Sequence, residues 1–341
     1  HLDFRRQRQM CIRDSIVGAS VTILGIMAGK TMIRTGYDTR LSAGLICAGG
    51  TLGILIPPSI MLVVMGPVLE IPVTDLFAAA IMPGILLACL YAAYTTLRCY
   101  LNPKLGPVLP VNEQPTNMAK VWYEFIMGLI PPAGLVFFAL GSILFGLATP
   151  TEGAGMGAFG AILLALAYKK LTLPGLKDAL LKTLEITALI MFLVAASNFF
   201  GAVFSKLGTP SLLTDFLLNL EVNRYVILAI IMAAIFLLGW PLEWVPIVLI
   251  VLPIVLPLVI ELGFNLTWFA ILVAVNLQTA WLSPPVALSA YFLKGVVPEW
   301  DLKDIYLGMM QFMVIQVIGL VLIIIFPKIA LWLPGVMYPS P

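Results

Sequence analysis

Between residues 41 and 65 the chain is apolar enough and long enough to cross a bilayer. Inside that run, "GGTLGILIPPSI" (Gly49 to Ile60) places three glycines and the pair Pro57-Pro58. Proline removes a backbone donor and clashes with the carbonyl one turn back. Glycine permits an unwound backbone. A broken helix in hydrocarbon leaves carbonyls that only surrounding protein or a watery cavity can satisfy. The same device returns in "NLQTAWLSPPVALSAYF" (Asn276 to Phe292). Aligning the proline pairs sets Thr51 opposite Gln278, Gly53 opposite Ala280, and Pro57-Pro58 opposite Pro284-Pro285. The plain alternative for either break is a kink in a structural helix.

Of the 341 residues 61% are hydrophobic and only 11% charged, well short of the roughly 25% charged residues of soluble domains. The expected fold class is an all-α polytopic membrane protein with inverted repeats, re-entrant helical hairpins and discontinuous transmembrane helices. Full-length spans are expected at 41–65, 76–98, 123–147, 152–168, 184–204, 268–293 and 305–326. Pieces at 16–29, 225–239 and 245–261 read as too short to cross alone, hence as hairpin arms. "KKLTLPGLKDALLKTLE" (Lys169 to Glu185) reads as an amphipathic helix in the interface.

Basic residues collect in alternate loops: Lys30, Arg34 and Arg40; Arg98, Lys104 and Lys120; Lys169, Lys170, Lys177 and Lys182; Lys294 and Lys303. These loops are expected to be cytoplasmic. The hairpins then enter from opposite faces, each followed by a broken span, which makes an inverted repeat. Such paired breaks point to the central site of a secondary transporter. Residues 15–100 are expected to be the C-terminal part of the first repeat, 101–122 a cytoplasmic linker and 123–335 the second repeat. Residues 1–14 read as a foreign or disordered segment ahead of a truncated reading frame.

A net charge of +2 argues for no nucleic-acid partner. The single histidine is His1, and no GxSxG or HExxH pattern occurs. No catalytic residue, metal centre or cofactor is therefore expected; a coupling ion is. Cys11, Cys47, Cys89 and Cys99 have no CxxC spacing and read as buried free thiols acting as small hydrophobes. In "ATPTE", Thr149, Pro150 and Glu152 form a capping box with proline at the first helical position.

Five stretches carry a family resemblance: "GGTLGILIPPSIMLVVMG", "AAAIMPGILLACLY", "LFGLATPTEGAGMGAF", "WPLEWVPIVLIVLPIVLP" and "NLQTAWLSPPVALSAYFLKGV". Together, from about Ser15 to Pro334, they resemble the large membrane subunit of tripartite ATP-independent periplasmic (TRAP) transporters, nearest the branch labelled for mannitol or chloroaromatic compounds. The resemblance implies a permease of the bacterial inner membrane that imports an organic acid or related polar solute by sodium symport. It implies a periplasmic solute-binding protein and a small membrane subunit as partners, and an elevator motion. It also implies that the family's first helices and first incoming hairpin arm are missing. A sodium or proton antiporter with no binding protein is the other reading of the paired breaks.

Gly18, Ser20 and Thr51, with the carbonyls of Gly49 and Gly53, are the candidates for one sodium site, since hydroxyls and carbonyls suit a hard cation. Asn276 and Gln278, with carbonyls freed by Pro284-Pro285, are candidates for a second. Packing through small residues, and amides acting as interhelical glue, are the structural alternatives. "DSIVGAS", with Ser15, resembles the first hairpin tip, and "GWPLEWVP", with Gly239 and Glu243, the second. Many relatives carry Asp where Glu243 stands. Glu243 either serves the site, as intramembrane acids do by default, or caps the following arm. Ser59, Trp281 and Ser283 flank the breaks as candidate solute contacts.

Overall fold

The computed structural model describes residues 16–107, 118–219, 222–284 and 287–338. Ser15, Pro285 and the segment 1–14 lie outside them. Every regular element among the described residues is a helix. The chain forms two units, one of residues 1–108 and 193–341, the other of residues 109–192.

In the larger unit the first arm is α1 (Ile16–Leu24), a π-turn (Gly25–Gly29) and α2 (Lys30–Arg34). The first broken pair follows as α3 (Thr39–Leu55) and α4 (Ile60–Leu69), bent by 43°. Then come α5 (Val73–Leu101) and a 3₁₀ turn (Pro103–Leu105). The smaller unit holds α6 (Met118–Leu144), α7 (Pro150–Ala167) and the start of α8 (Leu173–Lys206). After α9 (Thr209–Leu218) the second hairpin descends as α10 (Arg224–Leu238). It returns as α11 (Trp244–Pro246), a second π-turn (Ile247–Val251) and α12 (Leu252–Glu261). The second broken pair is α13 (Leu266–Leu282) and α14 (Leu288–Val296), followed by α15 (Leu302–Ile325) and α16 (Lys328–Met337).

Six of the described helices are long and apolar enough to span, or seven if α3 and α4 count as one broken span. The protein is thus a multi-pass all-α membrane protein. Three expectations change. The interfacial helix at 169–185 is no separate element: α8 is one 34-residue helix, about 51 Å long at 1.5 Å per residue. After Pro174 and Gly175 nothing stops it until Gly208. The return arm of the second hairpin is helical for 18 residues, Trp244–Glu261, which meets the lower length limit for a span. Helices α9 and α16, both 10 residues, had no counterpart among the expected spans.

The glycines of "GGTLG" do not break the helix. α3 runs through them to Leu55, and only the proline pair stops it. They permit close approach instead. A Cβ on Gly50 would lie 3.1 Å from Val21 N, and one on Gly53 would lie 3.5 Å from Ser20 Oγ. The first arm therefore lies against α3. The two halves also interlock. Cβ atoms on Gly25 and Gly29 would strike Val296 at the end of α14 and Val297 just after it, while the second π-turn and α12 pack on α4. The first arm thus rests on the far half of the second broken helix, and the return arm of the second hairpin on the far half of the first.

The capping box at α7 forms as expected. Thr149 Oγ1 accepts from Glu152 N at 3.3 Å, and Glu152 Oε2 accepts from Thr149 N at 2.8 Å. Thr149→Ala is expected to lower stability by about 1 kcal/mol, readable as a small fall in the detergent melting temperature with uptake retained.

Candidate functional site

The two broken helices meet in the larger unit. Cys47 of α3 contacts Ser289 O of α14 at 3.7 Å, and α13 packs on both α3 and α4. Thr51 and Gln278 each stand four residues before the end of their half-helix, and both are fully buried.

The prolines orphan carbonyls, and serines take most of them over. Pro58 has no N–H for Ile54 O, which accepts from Ser59 Oγ instead. Pro284 has none for Ala280 O, which accepts from Ser283 Oγ at 3.3 Å. Position 285, also proline, has none for Trp281 O, which accepts from Ser289 Oγ. Ser59 also caps α4, receiving Leu62 N at 3.4 Å. Ser59 and Ser283 are therefore spent on backbone rather than held out to a solute. The remaining orphan is Gly53 O, denied a donor by Pro57; no described hydrogen bond reaches it.

The first arm brings the hydroxyl of Ser20 to the same residue: it lies 3.5 Å from where a Cβ on Gly53 would stand, and Gly53 itself is exposed. Thr51 gives its hydroxyl hydrogen to Ala48 O at 2.8 Å, leaving oxygen lone pairs to accept. Gly18 is buried on the same arm as Ser20. Gly49 does not share this arrangement. Its carbonyl lies within the unbroken part of α3, and its Cα faces Leu24 and a cleft of about 320 Å³ against α5 lined by Leu45, Leu52, Ala88 and Tyr91.

Around the second break the amides bridge helices. Asn276 Nδ2 donates to Met232 O of α10 at 2.7 Å. Gln278 Oε1 accepts from Gln316 Nε2 of α15 at 2.7 Å. Gly239, at the end of α10, sits against Ala280, where a Cβ would lie 2.8 Å from the alanine Cβ. Two contact pairs fix each direction. Asn276 and Ala280 meet Met232 and Gly239 in the same order, so α10 runs with α13. Gly50 and Gly53 meet Val21 and Ser20 in reverse, so α1 runs against α3.

Glu243 occupies the N-cap position of α11 in extended backbone but makes no side-chain cap bond, and it is exposed. The capping reading fails because the carboxylate stays clear of the first-turn amides. Trp281 is buried at 6% exposure, part of the packing around the break. Cys47 is buried, whereas Cys89 is exposed on α5. Gln316 was not anticipated, although a lone amide in the apolar run "FMVIQVIGL" is a signal for it.

Two discontinuous apolar helices, each packed by a further helical arm and interlocked with the other, fit the class of multi-pass membrane permeases. A model of the family described as tripartite ATP-independent periplasmic transporter, DctM component, matches residues 13–329. The chain belongs to this family of TRAP transporter large permease subunits. It is 29% identical over 320 residues to the C4-dicarboxylate TRAP transporter large permease protein DctM of Pseudomonas aeruginosa, covering 93% of this chain and 73% of that one. It is 28% identical to the sialic acid TRAP transporter large permease protein SiaM of Vibrio cholerae, covering 91% and 71%. It is 27% identical to the 2,3-diketo-L-gulonate TRAP transporter large permease protein YiaN of Escherichia coli, covering 93% and 74%.

Proposed function

We propose that this protein is the permease subunit of a sodium-coupled importer of a small organic acid, working in the bacterial inner membrane. It takes its solute from a periplasmic binding protein and is assembled with a small membrane subunit. The relatives named for C4-dicarboxylates, sialic acid and diketogulonate support the solute class, all three being carboxylates. The observation that carries the coupling ion is the carbonyl of Gly53, left without its helix donor by Pro57 on a residue that Ser20 Oγ approaches. A carbonyl denied its helix donor within a membrane is costly until water, protein or an ion satisfies it, and a hard cation does so with the hydroxyl of Ser20 nearby. Thr51, two residues before Gly53, faces the other side of α3. Gly18, buried on the same arm as Ser20, offers only backbone oxygen.

A second sodium belongs at Asn276 and Gln278. There, Ser283 and Ser289 must first release the carbonyls of Ala280 and Trp281, so that site forms only with a rearrangement. No cationic side chain flanks the breaks among the described residues. Helix N-termini such as that of α4 then supply the positive potential for a carboxylate.

Uptake into proteoliposomes tests the reading. The protein reconstituted with its small subunit is expected to accumulate labelled solute only with an inward sodium gradient and a loaded binding protein. Uptake that persists without the binding protein would place the protein among stand-alone carriers. Uptake driven equally well by a proton gradient with no sodium present would remove the ion assignment.

A further inference from the structure

Gln278 and Gln316 are each fully buried, and their amides share one bond, Gln316 Nε2 to Gln278 Oε1 at 2.7 Å. The same Gln316 Nε2 also donates to Val275 O at 3.2 Å, one turn back along α13. Two atoms are left over: the donor Gln278 Nε2 and the acceptor Gln316 Oε1, both buried with no partner. They are the complementary halves of the second bond that would close a cyclic amide pair. A buried amide atom left unpaired costs free energy, so this pair is pulled toward closure while the rest of the structure holds it open. Gln278 lies in the last turn before the second break. Thus α15, an unbroken helix, holds the end of α13 at two points.

We propose that Gln316 is the positioning residue of the second helix break, gripping the last turn of α13 through Val275 and Gln278 and setting how readily that turn opens its carbonyls to an ion. The functional half of this inference rests on the sodium-coupled reading; the positional half does not.

Gln316→Met, which keeps the side-chain length and removes both donors, separates the two. Hydrogen exchange of the amides at 279–282 reads position directly, with no ion involved. It is expected to accelerate by roughly fivefold or more, the scale of one buried hydrogen bond. The sodium concentration for half-maximal uptake is expected to shift by a similar factor, with the solute KM unchanged.

Accelerated exchange in a transporter whose wild type ignores sodium would keep the positional role and sink the sodium reading alone. Wild-type exchange in the folded variant overturns the inference. So does an unchanged sodium half-saturation beside a lowered maximal rate, because a merely structural contact would act in that way. If Gln316→Met does not accumulate, Gln316→Glu takes its place, with the same outcomes decisive. Its shape is the same, and its buried carboxyl, kept protonated, donates one bond where the amide donates two.

Discussion

Gly308→Val is expected to prevent the protein from folding in the membrane. At this point α15 lies against the first turns of α3 with no space for a side chain. A Cβ on Gly308 would stand 2.8 Å from Arg40 C and 3.0 Å from Gly44 N, and one on Gly44 would stand 2.7 Å from Gly308 C. These neighbours are backbone, so no rotamer change relieves the clash. The helices would have to separate, breaking the Arg40 Nε to Asp304 Oδ1 ion pair at 2.8 Å on their exposed end and unpacking Phe312, which Gly44 touches. Overpacking a core costs about 1–3 kcal/mol where side chains can yield. Here it is expected to exceed about 3 kcal/mol, against a total stability of roughly 5–15 kcal/mol. The measurement is the fraction recovered as monodisperse protein in mild detergent. Gly128→Val is the control, because nothing lies within 4 Å of a Cβ there. Equal recovery of the two variants would mean that the α3–α15 contact is not as close as described.

The second large effect is expected from Pro57→Ala combined with Pro58→Ala. Two amide hydrogens return to the chain, one in line for Gly53 O and one for Ile54 O, and the helix ending at Leu55 gains the donors it lacks. The donor-less carbonyl of Gly53 is then consumed within the helix, and Ser59 loses its task at Ile54 O. Stability should hold or rise, since proline inside a helix costs roughly 3 kcal/mol. Sodium half-saturation should rise by about tenfold or more, corresponding to about 1.4 kcal/mol of lost ion binding. Uptake measured against sodium at saturating solute and binding protein checks it. A double variant with normal sodium dependence would show that the first break is a kink and that the ion binds elsewhere.

Comparing the two breaks shows what a linear reading captures. Their matched spacing, Thr51 to Pro57-Pro58 and Gln278 to Pro284-Pro285, was legible because proline's missing donor is a local property. The capping box at Thr149 was legible for the same reason: both of its bonds close within four residues. The role of the glycines was not. In isolation Gly50 and Gly53 look like helix breakers; against Val21 and Ser20 they are points of contact, and the helix passes through them.

The two amides show the same limit. Asn276 and Gln278 were recognised as polar groups in an apolar run, but their partners, Met232 and Gln316, lie 44 and 38 residues away. Nothing in local composition chooses between an ion and another helix.

By itself, then, the amino-acid order determined that the chain crosses a membrane as helices, where those helices stop and which carbonyls lose their donors, since each follows from side-chain hydrophobicity and backbone chemistry within a turn or two. The tertiary structure alone decided what surrounds the breaks: Met232 and Gln316 reach the amides of α13, and the first arm lies along the glycines of α3. Such contacts join residues tens of positions apart, and only long-range packing sets them.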